Sequence, residues 1–186
     1  MNKKVIYIIL TLIVLSIIVF LVKMDPETTK IQLETNNGNI VIELYSDMPI
    51  TTGNFKDLVG KDTYNNVIFH RVISGFMIQG GDPTGTGYGD PKIPKIEDEF
   101  VAGHSNVRGT ISMANTGQPN SGSSQFFINL GDNSQLDYDK QPLTSKHPVF
   151  GEVVEGMDIV DQIAKVPVDN NAKPLVDVVI ISAKVL

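Results

Sequence analysis

Arg71 and Gln79 stand eight residues apart in an apolar, glycine-bearing stretch, Phe69-His-Arg-Val-Ile-Ser-Gly-Phe-Met-Ile-Gln-Gly-Gly81. A guanidinium is always charged and holds its donors in a rigid fork, so it suits electrostatic rather than proton-transfer chemistry. Taken alone, an arginine among apolar neighbours is read first as one half of a packed ion pair. Other chemistries fail on residue type. The chain has no cysteine, which excludes thiolate catalysis, disulfides and cysteine-type zinc sites. His70, His104 and His147 are scattered and have no paired acid, so no metal is expected. Gly85-Thr-Gly-Tyr-Gly89 lacks the Lys-Ser/Thr of a phosphate loop and opens no helix, which leaves a structural glycine turn. Phe76, Met77, Phe126 and Phe127 would ordinarily be core.

Short elements must position these residues. Ile31–Thr35 and Ile40–Leu44 alternate apolar and polar residues around Asn36-Asn-Gly-Asn39, which predicts a hairpin. Pro49–Val59 reads as a helix, with proline in its first turn, Phe55, Leu58 and Val59 on one face, and Gly60 as its stop. A second helix is expected over Met157–Ala164. Between them lie short apolar runs split by glycines: Val67–Val72, Phe76–Gln79, Gly109–Ala114, Gln125–Leu130 and Val149–Val154. Val176–Ala183 is the last strand. Many short strands with two helices predict a mainly β domain closed into a barrel, which leaves no adhesive edge.

The chain has 186 residues and a formal charge of −6. Residues 1–23 hold three lysines and no acid, so the remainder carries −9. Such a surface repels phosphate backbones, and no basic stripe offsets it, so nucleic acid is not an expected partner. Val5–Val22 is an apolar run of 18 residues broken only by Tyr7, Thr11 and Ser16. As a helix it would be about 27 Å long, close to the roughly 30 Å hydrocarbon core of a bilayer. Lys3 and Lys4 precede it, and no small-x-small cleavage site follows. The expected organisation is a cytoplasmic N-terminus (1–4), a transmembrane anchor or uncleaved signal (5–22), a linker (23–30) and one extracytoplasmic domain (31–186).

Three motifs, in order, are more specific than any single residue. They are Phe69 through Gly87, then Ser112-Met-Ala-Asn115 followed by Ser124-Gln-Phe-Phe-Ile128, and finally Lys146-His-Pro-Val-Phe-Gly151. Together they closely resemble the cyclophilin family of peptidyl-prolyl cis/trans isomerases, from about Ile31 to the C-terminus. The resemblance implies a closed antiparallel eight-stranded β-barrel capped by two α-helices. It implies a monomer without cofactor that acts on proline-containing polypeptides. Arg71 matches the family's catalytic arginine, and Gln79, placed with it as catalytic, matches a polar substrate contact that could hold the guanidinium in place or contact the carbonyl. Phe76, Met77, Phe127 and Leu136 match the wall of the proline pocket. Gln125 matches a polar substrate contact, Ala114 and Asn115 match the segment that pairs with the substrate backbone, and His147 matches the pocket rim.

The residues suit that reaction. Rotation about the X-Pro bond meets a barrier of about 18–20 kcal/mol because nitrogen shares its lone pair with the carbonyl. In the twisted state the prolyl nitrogen regains that pair, and a guanidinium can donate to it there. An apolar pocket would hold the ring meanwhile. The alternative is a proline-peptide-binding module or holdase with little turnover. Some positions depart from the family pattern. There is no tryptophan, and Gln135 stands where many members carry one at the rim, which implies weak cyclosporin binding. Thr116 replaces a common alanine and Asp90 a common glycine, and the loops Gly117–Ser123 and Asp137–Ser145 are longer than usual.

Overall fold

The computed structural model describes residues 28–141 and 146–186. Nine strands form one sheet there: β1 (Thr29–Thr35), β2 (Gly38–Leu44), β3 (Val67–Ile68), β4 (Arg71–Ile73), β5 (Met77–Gly80), β6 (Thr110–Met113), β7 (Phe126–Asn129), β8 (Val149–Glu155) and β9 (Val179–Val185). Two helices cover it, α1 (Pro49–Gly60) and α2 (Met157–Ile163), and a short 3-10 turn spans Ser134–Leu136. The strand order is β3-β9-β1-β2-β8-β6-β7-β5-β4, and every named pairing is antiparallel.

This is a half-barrel, not the closed eight-stranded barrel expected. The run Val67–Val72 does not make one strand. It splits at Phe69 and His70 into β3 and β4, which become the two ends of the sheet. Here the backbone turns to the C-terminal loop instead: the Phe69 N–H donates to the Val178 carbonyl (2.9 Å) and the Val72 N–H to the Ala172 carbonyl (2.8 Å). The loop satisfies donors that a closing strand would otherwise take.

The first hairpin turns on Asn36-Asn37, with Thr35 paired to Gly38. Only Gly38 of this turn has a positive φ, +135°. A Cβ there would lie 2.7 Å from Ile159 Cδ1, so the missing side chain also seats α2. β1 begins at Thr29, inside the expected linker. The expected anchor, 5–22, lies outside the described residues, as does most of the linker; among the described residues no helix is long and apolar enough to cross a membrane.

Helix α1 has proline in its first turn and no side-chain cap from Met48. Its orphan N–H groups find Glu99 instead, whose carboxylate accepts from Ile50 (3.2 Å) and Thr51 (2.9 Å). Phe55 carries the buried face of α1 against Tyr64, Phe126 and Phe150, with ring centroids 5.0–5.5 Å apart. Burying each such ring contributes roughly 1.5–3 kcal/mol. The core takes the alternate residues Val72, Ile78, Ile111, Met113, Phe126 and Ile128 from the strands around β5.

Candidate active site

The period-two alternation of strands decides what lies opposite that core. Arg71 pairs with Gln79, Gln79 with Phe127, and Phe127 with Ser112. Directly opposed residues share a face, so these four form one row across β4, β5, β7 and β6. Met77, paired with Asn129, lies on the same face one step along. Met77 and Phe127 are 2% and 4% exposed yet belong to no part of the core cluster. They are buried on the far side of the sheet, in a second layer.

Loop groups complete this layer. The His147 ring stands edge-on to Phe127, with centroids 5.2 Å apart at 84°. Its Nδ1 lies 3.0 Å from the Met113 carbonyl, which can only accept, so Nδ1 carries the proton. Burial pushes the His147 pKa down, and the Met113 hydrogen bond partly restores it. The His147 N–H donates to the Leu136 carbonyl (3.0 Å), which ties the short 3-10 turn to the same wall. Phe76 is held by its own carbonyl, which accepts from the Leu130 N–H (2.9 Å) and from Asn133 Nδ2 (2.7 Å).

Beneath the wall lies a buried polar network that sequence reasoning missed. Asn133 Nδ2 also donates to Asn129 Oδ1 (2.8 Å), and Asn129 Nδ2 donates to Thr110 Oγ1 (2.9 Å). The Asp137 carboxylate accepts from the Asn106 N–H and Nδ2, both at 2.8 Å, and from Ser105 Oγ at 2.6 Å. Asn106, Asn129 and Asn133 are at most 3% exposed. The signal available in sequence was asparagine within the β7 pattern, where an apolar residue is the default.

The polar side of the row is exposed at Arg71 and half-exposed at Gln79 and its neighbour Gln125. Arg71 Nη1 donates to Gln79 Oε1 (3.3 Å), Gln79 Nε2 to Gln125 Oε1 (2.9 Å), and Gln125 Nε2 to the Gly87 carbonyl (3.0 Å). Arg71 has no carboxylate partner among the described residues, so the packed ion pair is not what its neighbours provide. Ala114 donates its N–H to the Gln125 carbonyl (3.0 Å). Asn115 uses its side chain internally: Nδ2 donates to the Lys146 carbonyl (2.6 Å) and Oδ1 accepts from the Gly117 N–H (3.0 Å). Its main-chain N–H and C=O take no main-chain partner among the described residues.

Two cavities flank Gln79. One of about 530 Å³ is bounded by Gly87, Tyr88, Ala114, Asn115 and Gln125 among others. The second, about 570 Å³, is bounded by His70, Arg71, Tyr88, Asp169 and Lys173 among others. His70 is 8% exposed, and neither ring nitrogen has a partner among the described residues. Burial lowers its pKa; Asp82 opposes that, and Arg71 and Lys173 add to it. The structure thus puts Met77 and Phe127 on one face with His147 against Phe127. Leu136 is tied to His147, and Phe76 to Leu130 and Asn133, through their carbonyls. Gln79, Gln125, Ala114 and Asn115 line one cavity, while Arg71 and Gln79 line the other. Gln135 is exposed on the 3-10 turn, next to Leu136. No group of three or more metal-ligating side chains comes together among the described residues.

Comparisons with known proteins identify the family. The family model described as cyclophilin type peptidyl-prolyl cis-trans isomerase/CLD matches residues 30–185. A Gibberella zeae protein named peptidyl-prolyl cis-trans isomerase-like 1 is 42% identical over 163 residues, covering 86% of this chain and 96% of the relative. An Acinetobacter baylyi peptidyl-prolyl cis-trans isomerase is 45% identical over 140 residues, covering 75% of this chain and 73% of its own length. The crystal structure of a Cryptosporidium parvum cyclophilin-type isomerase superposes with a TM-score of 0.76 at 32% identity, covering 86% of this chain and 98% of that one. A second structure of that protein, in the presence of the dipeptide Ala-Pro, gives 0.74 at the same identity, covering 84% and 98%. The chain belongs to the cyclophilin family and is a peptidyl-prolyl cis-trans isomerase.

Proposed function

We propose that this isomerase accelerates rotation about X-Pro bonds without covalent chemistry, by donating from Arg71 to the prolyl nitrogen of the twisted state. The observation that carries the reading is Arg71 itself: an exposed guanidinium, tethered at one nitrogen by Gln79 and paired with no carboxylate among the described residues. Its remaining donors are free for substrate. The planar amide offers no nitrogen lone pair, so the bond is made chiefly in the transition state, as catalysis requires. The proline ring rests on Phe76, Met77, Phe127 and Leu136, with His147 at the rim. The main chain at Ala114 and Asn115 and the amide of Gln125 take the substrate backbone. The Cryptosporidium relative's structure in the presence of the dipeptide Ala-Pro supports a proline-containing ligand.

The test is an isomerisation assay of the full chain on a proline tetrapeptide beside Arg71→Ala. Removing one such preorganised donor typically costs about 10²–10³ in rate. Equal rates in both proteins would sink the assignment. A holdase would keep peptide binding and lose nothing in the variant.

The apolar run Val5–Val22, with Lys3 and Lys4 before it, supports an anchor whose N-terminus is cytoplasmic and whose isomerase domain faces outward. Clients would then be unfolded or exported chains, whose X-Pro steps are slow. Protease added to intact cells should remove the domain; protection until lysis would reject this orientation.

A further inference from the structure

Two side-chain amides connect Arg71 to a loop that sequence reasoning set aside as a glycine turn. A primary amide looks nearly the same to its neighbours when flipped, because its oxygen and nitrogen have similar shapes and opposite hydrogen-bonding roles. Gln79 and Gln125 could each present either end to the next group. The Gly87 carbonyl removes that freedom, because it can only accept. Gln125 must turn Nε2 toward it (3.0 Å), which turns Oε1 toward Gln79. Gln79 must then donate from Nε2 (2.9 Å), which leaves its Oε1 facing the guanidinium (3.3 Å). The flipped chain would place an NH2 group against the donors of Arg71.

The position of that carbonyl is itself fixed. Asp82 is 0% exposed, and its carboxylate gathers the loop around it. Oδ1 accepts from the Thr84 N–H (2.9 Å) and Thr84 Oγ1 (2.8 Å), and Oδ2 accepts from the N–H groups of Gly87 (2.8 Å) and Gly89 (3.1 Å). Burial alone pushes this carboxyl's pKa up; the bonds from Thr84, Gly89 and Gly87 outweigh it and hold it below the ordinary value. Gly87 has φ +84°, and a Cβ on it would sit 3.3 Å from His70 Cδ2, so the loop rests on the His70 ring with no room to spare.

We propose that Asp82 is a positioning residue for catalysis: by caging the 82–89 loop it presents the Gly87 carbonyl that polarises Gln125 and Gln79 and so orients Arg71. The proposal rests on Arg71 being the catalytic donor. The carboxylate suits the task because it only accepts, as the converging donors require. An asparagine of the same shape would turn an NH2 against two of them.

The experiment combines Asp82→Asn, Gln125→Ala and the double variant in the full chain. Asp82→Asn is expected to lower kcat about five- to tenfold with KM changed less than about twofold. In the Gln125→Ala background it should add less than about twofold, because the relay is already cut. The 15N signals of the Arg71 guanidinium should shift or broaden in Asp82→Asn, a readout independent of turnover. Gly87→Ala, on the exposed part of the loop, should reproduce all three results and serves if Asp82→Asn fails to fold. Unchanged kcat with unchanged Arg71 signals overturns the proposal, as do effects that multiply fully with Gln125→Ala. If instead the Arg71 signals move while Arg71→Ala retains full activity, the catalytic reading fails and the relay stands.

Discussion

The apolar wall and the polar edge share one face of the sheet around β5 and β7 but are held in opposite ways. Met77 and Phe127 are almost wholly buried, and the loops that complete their wall are fastened from below by Asn129, Asn133, Asn106 and Asp137. Arg71, Gln79 and Gln125 are exposed or half-exposed and are joined end to end, with their last contact on a loop carbonyl. Buried hydrogen bonds are costly to break, so the wall is rigid. An exposed relay is cheap to disturb. The difference separates gripping from turning. The wall should govern how tightly a proline is held, and the edge how fast its bond rotates.

Crossing two variants is the sharpest way to break that division. Arg71→Ala should lower kcat about 10²–10³-fold and shift KM only a few-fold. Phe127→Ala should do the reverse, raising KM about tenfold or more while sparing kcat at saturation, because it removes apolar contact made in ground and transition states alike. Steady-state kinetics on one proline tetrapeptide decide both. If Phe127→Ala lost mainly kcat, the wall would be part of the turning machinery.

Asn133→Ala attacks the wall from beneath. It removes the donor to the Phe76 carbonyl and strands Asn129 Oδ1 in a buried site. The loss should be about 1–3 kcal/mol of stability, read by denaturant melts. KM should rise several-fold with kcat nearly unchanged, the opposite of the Asp82→Asn signature. A variant as stable as the parent would show that the network is not what holds Phe76.

The rim of the wall offers a gain instead of a loss. Gln135 is exposed beside Leu136, and Gln135→Trp adds a ring there. An aromatic contact is worth about 0.5–1.5 kcal/mol beyond its burial, so cyclosporin should bind roughly tenfold more tightly by calorimetry. Isomerisation should change less than about twofold. Unchanged drug affinity would mean that position 135 does not face the ligand.

The two regions also differ in how much of them can be read from sequence. Alternation in β1 and β2, the proline-started α1 and the motifs around Arg71 and Phe127 mark the strands and the row of site residues, because each signal is local. The break at Phe69-His70 is not local. Whether an apolar run stays one strand depends on what its N–H groups meet, and here they meet Val178 and Ala172, a hundred residues on. The asparagine floor was illegible for a similar reason: Asn106, Asn129 and Asn133 are polar residues whose burial is stabilising only together. Gly85–Gly89 was correctly read as a turn, but its carbonyl chemistry depends on Asp82, Gln125 and Gln79 meeting in space.

The smallest effect separates the two regions by pH, since one contains a buried histidine, His70, and the other a half-buried one, His147. Burial lowers the pKa of His70 and of His147, so both are neutral in the fold and bind protons more readily when the chain unfolds. Stability is therefore fully present above the unfolded value, near pH 6.5, and is lost as pH falls below it, until the folded-state pKa is reached. The slope cannot exceed about 1.4 kcal/mol per pH unit for each histidine. His147 keeps a hydrogen bond to Met113, whereas neither nitrogen of His70 has a partner among the described residues. Replacing His70 by phenylalanine should therefore flatten the melting temperature against pH between about 6.5 and 5.5 more than His147→Gln does. Over the same window kcat should stay level in the parent, because the proposed mechanism uses the Arg71 guanidinium and moves no proton. A bell-shaped kcat profile in that window would place a titrating group in the turning step and join the wall to the edge after all.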